Sequence, residues 1–257
     1  MAEQGPVTRA LLESMADSPH GVRGDGRELA RQVCRACVAG ADVDGAAMSV
    51  LTATETTETL WASDATAQRL EELQFTLNEG ACVQAAASGR SVLVPDLLHS
   101  VEVERWPIFA ASVAEQTLIR ALFALPLQWG ATNLGVLDMY RTTAGGLNRA
   151  QFNDVSAAVD VATLVMLGLL TAPEARLDQN QGQDASNTGG DEHWLDLSAG
   201  NRAEVHQAIG MVLVQLGVSA TEALARLRGH AFAHRRLLID VATDVVNRRL
   251  VFTDDMA

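Results

Sequence analysis

The sequence predicts two folded domains: an α+β domain with an antiparallel sheet flanked by helices, and a small all-α domain of three helices. Three observations indicate this arrangement. A clear β-hairpin pattern lies near the middle of the chain, and a long helical stripe of apolar residues follows it. The segment from Thr171 to Gly190 is then polar and rich in Gln, Asn and Gly. Such a segment buries too little apolar surface to offset its ordering entropy, so it predicts a flexible linker.

Helix and strand patterns alternate through the first domain. We expect the first twenty or so residues to be frayed, apart from a short helix around Leu11 to Met15. The hairpin is the clearest signal, because the Trp129-Gly130-Ala131-Thr132 turn joins two apolar runs. The predicted elements in order are a helix over 29–37, strands over 46–53 and 58–62, helices over 65–75 and 79–87, a strand over 91–94, and hairpin strands over 119–128 and 133–140.

The last helix of this domain predicts a homodimer. Its apolar stripe keeps a 3,4 spacing through Phe152, Val155, Val159, Ala162, Met166 and Leu169. From Val161 onward the other face is apolar as well, at Val161, Leu164, Val165 and Leu167. A helix that is apolar all round is buried on both sides, so we expect one face on the sheet and the other on a second subunit. Burial within the monomer is the alternative.

Three short helical patterns follow the linker. The first runs from Val205 to Leu216 and ends at Gly217, a residue suited to a left-handed helix cap. Ser219 and Glu222 have the spacing of a capping box, so a second helix begins there. A third apolar stripe extends from Leu238 to Leu250. About fifty residues in three helices can bury only a minimal core.

Composition excludes several functions. The 257 residues carry 19 basic and 32 acidic side chains, a formal charge of −13, and every basic residue is arginine. A chain without lysine cannot perform P-loop or Schiff-base chemistry. Three cysteines do not form a disulfide framework, and the N-terminus lacks a secretory pattern. The longest apolar run, Val161 to Leu170, is shorter than a membrane span, so we expect a soluble cytoplasmic protein.

The C-terminal helices resemble the ANTAR domain of RNA-binding antitermination regulators. The segments that carry the resemblance are Arg202-Ala-Glu-Val-His-Gln-Ala-Ile-Gly-Met-Val-Leu-Val-Gln-Leu-Gly-Val-Ser, Glu222-Ala, Leu227-Arg228, Ala231 and Asp240-Val-Ala. His234 departs from the family pattern, in which asparagine is common at this position. The resemblance implies a three-helix domain that binds structured RNA.

The N-terminal region resembles a GAF sensor domain. The segments that carry this resemblance are Ala81-Cys82, Gly89-Arg90, Val94-Pro95-Asp96, Arg105-Trp106-Pro107 and Leu134-Gly135-Val136-Leu137-Asp138. Members that bind cyclic nucleotides carry an Asn-Lys pair and an Asp-Glu pair, where this chain has Tyr140-Arg141 and Ser156-Ala157. We therefore expect no cyclic-nucleotide binding.

The two resemblances and the linker predict five regions. These are an N-terminal extension over 1–24, a GAF-like domain over 25–170, a linker over 171–194, an ANTAR-like domain over 195–250 and a C-terminal tail over 251–257.

Two cysteine and histidine pairs have the spacing of metal ligands. Cys34 and Cys37 lie one helical turn apart, but a second ligand pair is missing, so structural burial is the favoured interpretation. His230 and His234 lie four residues apart, without an intervening glutamate or an evident third ligand. Contact with an anion suits these histidines better than a metal does.

Basic residues predict where RNA would bind. Residues 201–250 hold seven arginines against four acidic residues, whereas the rest of the chain is strongly acidic. Arginines can contact phosphates, and histidines can stack on unpaired loop bases. A solvated helix face is the alternative. The candidate RNA-binding residues are Arg226, Arg228, His230, His234, Arg235, Arg236, Arg248 and Arg249.

A small-molecule pocket is expected over the sheet of the GAF-like domain. Asp138 should share a strand face with Leu134, Val136 and Tyr140, because side chains alternate along a strand. Core packing is the alternative role for each aromatic residue. The candidate lining residues are Trp61, Cys82, Asp96, Trp106, Trp129, Asp138 and Tyr140.

The sequence therefore predicts a signal-responsive antitermination regulator that is not an enzyme. A GAF-like domain would respond to a small-molecule or protein signal, and the C-terminal domain would bind terminator-overlapping RNA hairpins. A homodimer would present two RNA-binding modules to a paired-hairpin target. The alternatives are an adaptor whose C-terminal helices bind a protein, and a DNA-binding regulator. The sequence leaves the signal and any cofactor unassigned.

Overall fold

A five-stranded antiparallel sheet organises the N-terminal domain. The computed structural model describes residues 4–17, 26–52, 57–171 and 202–253. The strand order is β2-β1-β5-β4-β3, and every neighbouring pair is antiparallel. The strands are β1 (Gly45–Leu51), β2 (Thr57–Ala62), β3 (Val92–Val94), β4 (Ala121–Trp129) and β5 (Thr132–Arg141). The predicted α+β fold and its hairpin are confirmed, with Trp129 paired to Thr132 at the turn.

Helices cover both faces of the sheet. One face packs against α1, α2 and α7, and the other packs against α3, α4 and α6. The short α5 leads directly into α6. The helices are α1 (Pro6–Ala16), α2 (Gly26–Gly40), α3 (Ala65–Leu77), α4 (Ala81–Ser88), α5 (Ser100–Arg105), α6 (Pro107–Gln116) and α7 (Arg149–Thr171).

Helices α5 and α6 have no counterpart in the sequence prediction. Pro107 is the first residue of α6, a position where its missing N–H costs nothing. Trp106, just before it, is buried and packs edge-on against Phe109, with ring centroids 6.1 Å apart. Pro107 is therefore a helix-start signal that is present in the sequence.

The strand face predicted for Asp138 is correct except at Leu134. Val136 and Tyr140 pack with the α3 and α4 side, but Leu134 packs with the α2 and α7 side. Pairing between β4 and β5 is irregular between Pro126 and Gln128. Such an irregularity breaks the alternation of side chains, so Leu134 points to the opposite face of the sheet.

The N-terminal residues are more ordered than the sequence predicts. Helix α1 spans eleven residues, and Val7 and Leu11 are fully buried against the domain. Asp154 of α7 holds its first turn, because the carboxylate accepts hydrogen bonds from the Val7 amide (2.7 Å), the Thr8 amide (3.0 Å) and the Thr8 hydroxyl (2.7 Å). A carboxylate suits the exposed amides and positive dipole end of a helix N-terminus. The predicted fraying is wrong for residues 4–17.

Helix α7 is half covered by its own domain. By length and composition, residues Arg149–Leu169 could cross a membrane. In the fold, Val155, Val159, Ala162 and Met166 are buried in the core. Leu164 on the other side has an exposed fraction of 52%.

The C-terminal domain has the three predicted helices, α8 (Ala203–Leu216), α9 (Ala220–Ala233) and α10 (Leu238–Val246). Gly217 ends α8 in the left-handed conformation (φ 66°), and the Ser219 hydroxyl accepts a hydrogen bond from the Glu222 amide. Helix α10 ends before the predicted Leu250, because Arg248 adopts a left-handed conformation. Phe252, assigned to the tail, is buried against the three helices. The predicted linker lies outside the described residues, except for Thr171 at the end of α7.

Replacing Asp154 tests how α1 is held. We expect Asp154→Ala to lower the free energy of unfolding by about 2–4 kcal/mol, because hydrogen bonds to a charged group contribute about 1.5–3 kcal/mol each. Urea unfolding followed by circular dichroism measures the change. Asp160→Ala is the matched control, since Asp160 is an exposed aspartate on the same helix. Equal stability of the two variants would contradict this role.

Candidate functional site

A cluster of polar side chains lies buried between the sheet and α3. Asp138 on β5 and Glu71 on α3 are 2% and 3% exposed. Gln74, one turn further along α3, donates a hydrogen bond from Nε2 to Asp138 Oδ2, and its Oε1 accepts one from the Cys82 amide at 2.8 Å. Ser49 on β1 donates a hydrogen bond from its hydroxyl to Glu71 Oε2. We call Ser49, Glu71, Gln74, Cys82 and Asp138 the interior cluster.

The turn between α3 and α4 brings Cys82 into this cluster. Asn78 and Gly80 both have positive φ angles, 54° and 118°. A Cβ atom on Gly80 would lie 2.5 Å from Gln74 Oε1, so a side chain would displace the amide group of Gln74. Glycine is therefore required here both for its backbone conformation and for space.

The pKa of Asp138 is shifted because this carboxyl group is buried next to that of Glu71. Burial raises the pKa of Asp138 well above its ordinary value, and the nearby charge of Glu71 raises it further, while the Gln74 hydrogen bond acts in the opposite direction. Burial also raises the pKa of the Cys82 thiol, with Glu71 and Asp138 adding to the effect. Burial thus disfavours the charged forms of both groups.

Of the predicted pocket residues, only Cys82 and Asp138 come together in this cluster. Trp106 and Tyr140 are buried in the same core, and the Tyr140 hydroxyl donates a hydrogen bond to Asp64 at 3.0 Å. Asp96 forms a bidentate ion pair with Arg120 at the surface.

Two of the predicted tryptophans also lie away from the cluster. Trp61 packs with the opposite core, and Trp129 is 51% exposed at the hairpin. The seven predicted lining residues therefore do not all lie together among the described residues.

Ser49, Glu71 and Gln74 were not among the site residues predicted from the sequence. A usable signal was present on α3, where Ala67, Leu70, Glu71 and Gln74 recur at helical spacing and are all buried. Charged and amide groups within an apolar stripe are unusual, because burying them without partners is costly. Their partners on β1 and β5 are distant in sequence, so the signal alone does not identify them.

The C-terminal domain packs against the end of α3 through Phe75. The Arg202 guanidinium lies 3.6 Å above the Phe75 ring, and that of Arg228 lies 5.2 Å from the same ring centroid. Arg228 Nε donates a hydrogen bond to the Phe75 carbonyl at 3.1 Å. His206 Nε2 lies 2.8 Å from Glu58 Oε1 on β2. Phe75, Glu58, Arg202, His206 and Arg228 form what we call the domain junction.

Arg202 connects the domain junction to the interior cluster. Its guanidinium donates hydrogen bonds to the Thr57 carbonyl and the Thr59 hydroxyl, and Thr59 in turn donates to Glu71 Oε2 at 3.2 Å. Burial lowers the pKa of Arg202, whereas the charges of Glu58 and Glu71 oppose this effect. Burial, with the neighbouring charge of Arg202, lowers the pKa of Arg228 to about 10.

The remaining predicted RNA-binding residues divide by their partners. Arg226 pairs with Glu222, and Arg236 and Arg249 both pair with Asp244. Arg235 and Arg248 are exposed and have no acidic partner among the described residues. Arg235 precedes α10 and Arg248 follows it, so the two residues lie near opposite ends of a helix about 14 Å long. We call Arg235, Arg236, Arg248 and Arg249 the basic surface.

Both arginines without partners have left-handed backbones. Their φ angles are 53° for Arg235 and 59° for Arg248. This conformation costs about 1–2 kcal/mol for a residue other than glycine. Both residues follow a helix end, and the left-handed turn lets the next amide bond back to the helix, from Arg236 N to the Ala231 carbonyl (2.9 Å) and from Arg249 N to the Asp244 carbonyl (2.8 Å).

The predicted histidine and cysteine pairs differ in their surroundings. The His230 and His234 rings stack with centroids 4.0 Å apart, and His234 Nδ1 lies 2.9 Å from the His230 carbonyl. Within the described ranges, neither ring belongs to a group of three possible metal ligands. Cys34 and Cys37 are fully buried on α2, and burial raises the pKa of both thiols, that of Cys37 to about 12.

The chain thus combines an α+β domain with a small helical domain that packs against it. A GAF domain model matches residues 25–169, and an ANTAR domain model matches residues 198–246. The chain therefore belongs to the GAF domain family and carries a C-terminal ANTAR domain. The predicted resemblances are confirmed. The comparison with curated proteins finds no match.

Solved structures with a similar fold include other GAF domains. The GAF domain of a phosphoenolpyruvate-protein phosphotransferase from Coxiella burnetii is 11% identical (TM-score 0.46; 63% of this chain, 89% of that chain). The GAF-B domain of DevS from Mycobacterium smegmatis is 18% identical, with a TM-score of 0.41, and the match covers 56% of this chain and 93% of that chain. A type II free methionine-R-sulfoxide reductase from Thermoplasma acidophilum is 14% identical, with a TM-score of 0.42, and the match covers 56% of this chain and 97% of that chain.

Removing the Phe75 ring tests the domain junction. Desolvated cation–π contacts contribute about 1–2 kcal/mol each, so Phe75→Ala should raise the population of undocked chains about tenfold or more. Trypsin cleavage after Arg202, followed by mass spectrometry, reports this opening. Phe232→Ala is the control, because Phe232 is 53% exposed on α9. If both variants are cleaved at the rate of the unmodified chain, Phe75 does not hold the domains together.

Proposed function

We propose that this protein is a signal-responsive regulator that binds structured RNA through its ANTAR domain and controls transcription termination. The ANTAR match and the GAF match support a sensor joined to a regulatory effector. Within this proposal the protein acts in the cytoplasm, where nascent RNA is available. Its GAF domain responds to a signal and has no enzymatic activity.

The basic surface is the observation that carries the RNA assignment. The chain as a whole has a formal charge of −13, yet Arg235 and Arg248 present unpaired positive charge at the two ends of α10. Phosphate groups of an RNA backbone match such charges, and binding releases counterions from the RNA. Arg236 and Arg249 can add to this contact by exchanging their shared carboxylate, Asp244, for phosphate.

Base recognition is assigned to the histidine pair at the end of α9. His234 is exposed, and its ring stacks on that of His230, which in turn lies 5.4 Å from the Phe252 ring. An unpaired loop base can extend such a stack. Burial lowers the pKa of His230, and the neighbouring His234 and Arg236 lower it further, which favours a neutral ring.

The domain junction supplies a route for control. Arg228 is covered by Phe75 in this arrangement, although it belongs to the residues predicted to bind RNA. Separation of the two domains would expose Arg228 and enlarge the positive surface of the ANTAR domain. A signal that favours the separated state would therefore increase RNA affinity.

A homodimer through α7 is part of the proposal. Leu164 lies on the exposed side of this helix, whereas Leu167 packs partly against the core of its own domain. Two ANTAR domains held in one dimer would bind two neighbouring hairpins with a high effective concentration for the second.

Loss of the two unpaired arginines should weaken RNA binding uniformly. The probe is a stem-loop selected by the unmodified protein from a library with randomised loops. We expect Arg235→Ala/Arg248→Ala to reduce affinity for all selected loops alike, and to lower the slope of log affinity against log salt by about two, one per phosphate contact. Filter binding at several salt concentrations measures both quantities.

Arg90→Ala/Arg149→Ala is the matched control, because both arginines are exposed on the GAF domain and the change in net charge is the same. Unchanged affinity and salt slope in the folded ANTAR variant would refute the assignment of this surface. Failure to select any stem-loop would favour the adaptor alternative. Tighter binding to duplex DNA of the same sequence would favour a DNA-binding regulator.

The dimer can be tested at one position. Leu164→Glu should produce monomers at micromolar concentration, because a charge would be buried in the apolar contact. Light scattering gives the mass. Val214→Glu introduces the same charge at a site that is 78% exposed on α8, and it should leave the mass unchanged. A monomeric unmodified protein would end the dimer proposal.

A further inference from the structure

We propose that Glu71, Cys82 and Asp138 form a binding site for one divalent, thiophilic metal ion such as Zn²⁺. One ligand atom from each residue lies within 4.8 Å of the other two, and all three residues are buried. The ligands come from three separate elements, α3, α4 and β5. This inference concerns the GAF domain alone and does not depend on RNA binding.

An unsatisfied atom in the cluster points to a missing ligand. Asp138 Oδ1 is buried and has no hydrogen-bond partner, whereas Oδ2 of the same carboxyl group accepts a hydrogen bond from Gln74. Buried polar atoms in proteins nearly always have a partner, and an orphaned one indicates an absent water, ion or ligand. A metal ion bound by Glu71, Cys82 and Asp138 would give this carboxyl group the partner it lacks, if the three ligand atoms move from within 4.8 Å of one another to the spacing of about 3.5 Å in a tetrahedral site.

The donor set selects the class of metal. One thiolate and two carboxylates suit a borderline ion such as Zn²⁺ better than Mg²⁺ or Ca²⁺, which bind through oxygen alone. Three protein ligands leave a fourth position of a tetrahedral ion for water or another small molecule. The carboxylates are also oriented from outside, because Ser49 and Thr59 donate hydrogen bonds to Glu71 and Gln74 donates one to Asp138.

Cobalt substitution provides a direct test. The full chain is treated with a chelator, then incubated with Co²⁺, or refolded from urea in its presence because the ligands are buried. We expect one Co²⁺ per chain, with a near-ultraviolet thiolate-to-cobalt charge-transfer absorption that Zn²⁺ abolishes by displacement. Cys82→Ser should remove this absorption. Cys34→Ala/Cys37→Ala is the control with the other two cysteines removed, and it should retain the absorption.

Asp138→Asn is a second test variant that retains the Cys82 thiol, and it replaces Cys82→Ser if that variant does not fold. An asparagine imitates the protonated carboxyl group, so the metal-free variant should unfold at or above the temperature of the unmodified chain. Its Co²⁺ affinity should fall at least about tenfold, given that even outer-sphere changes cost 10–100-fold. Absence of the absorption in the unmodified protein, its loss only in the Cys34/Cys37 variant, or unchanged affinity in Asp138→Asn would each overturn the proposal.

Discussion

The structure depends on helix α3, which packs against both the sheet of the GAF domain and the ANTAR domain. One side of the helix carries Glu71 and Gln74 into the interior of the sheet, where they need partners because buried polar groups are costly without them. Its last turn carries Phe75 out to the ANTAR domain, where two guanidinium groups cover the ring. The sensor interior and the effector surface are therefore separated by a single helical turn.

This arrangement explains why an arginine is buried where the two domains meet. Arg202 lies in a region that is negative because of Glu58 and Glu71, and its charge offsets theirs. Its guanidinium reaches the strand backbone through Thr57 and lies flat on Phe75. Only a planar, extended cation can stack and form hydrogen bonds at its edge in this way. Any change of charge inside the sensor would therefore alter the stability of ANTAR docking.

The arginines of the basic surface differ from Arg202, because they lie away from the domain junction. Arg236 and Arg249 share Asp244, and exposed ion pairs of this type contribute little to stability. Arg235 and Arg248 cap the ends of two helices in a left-handed conformation, and their guanidinium groups have no acidic partner among the described residues. The proposed RNA contact uses this unpaired charge, because phosphates would supply the missing negative charge.

The sequence by itself determined the local features of this protein. The hairpin, the α8 cap at Gly217 and the capping box at Ser219 are set by residues close in the chain, and periodicity showed which faces are buried. Only the tertiary structure decided that Asp138 meets Glu71 and Cys82, and that Phe75 meets Arg202. These contacts join residues 11 to 127 positions apart, on elements whose relative placement depends on sheet order and strand register. Leu134 shows the reason most simply, since one pairing irregularity reversed the face that alternation predicted.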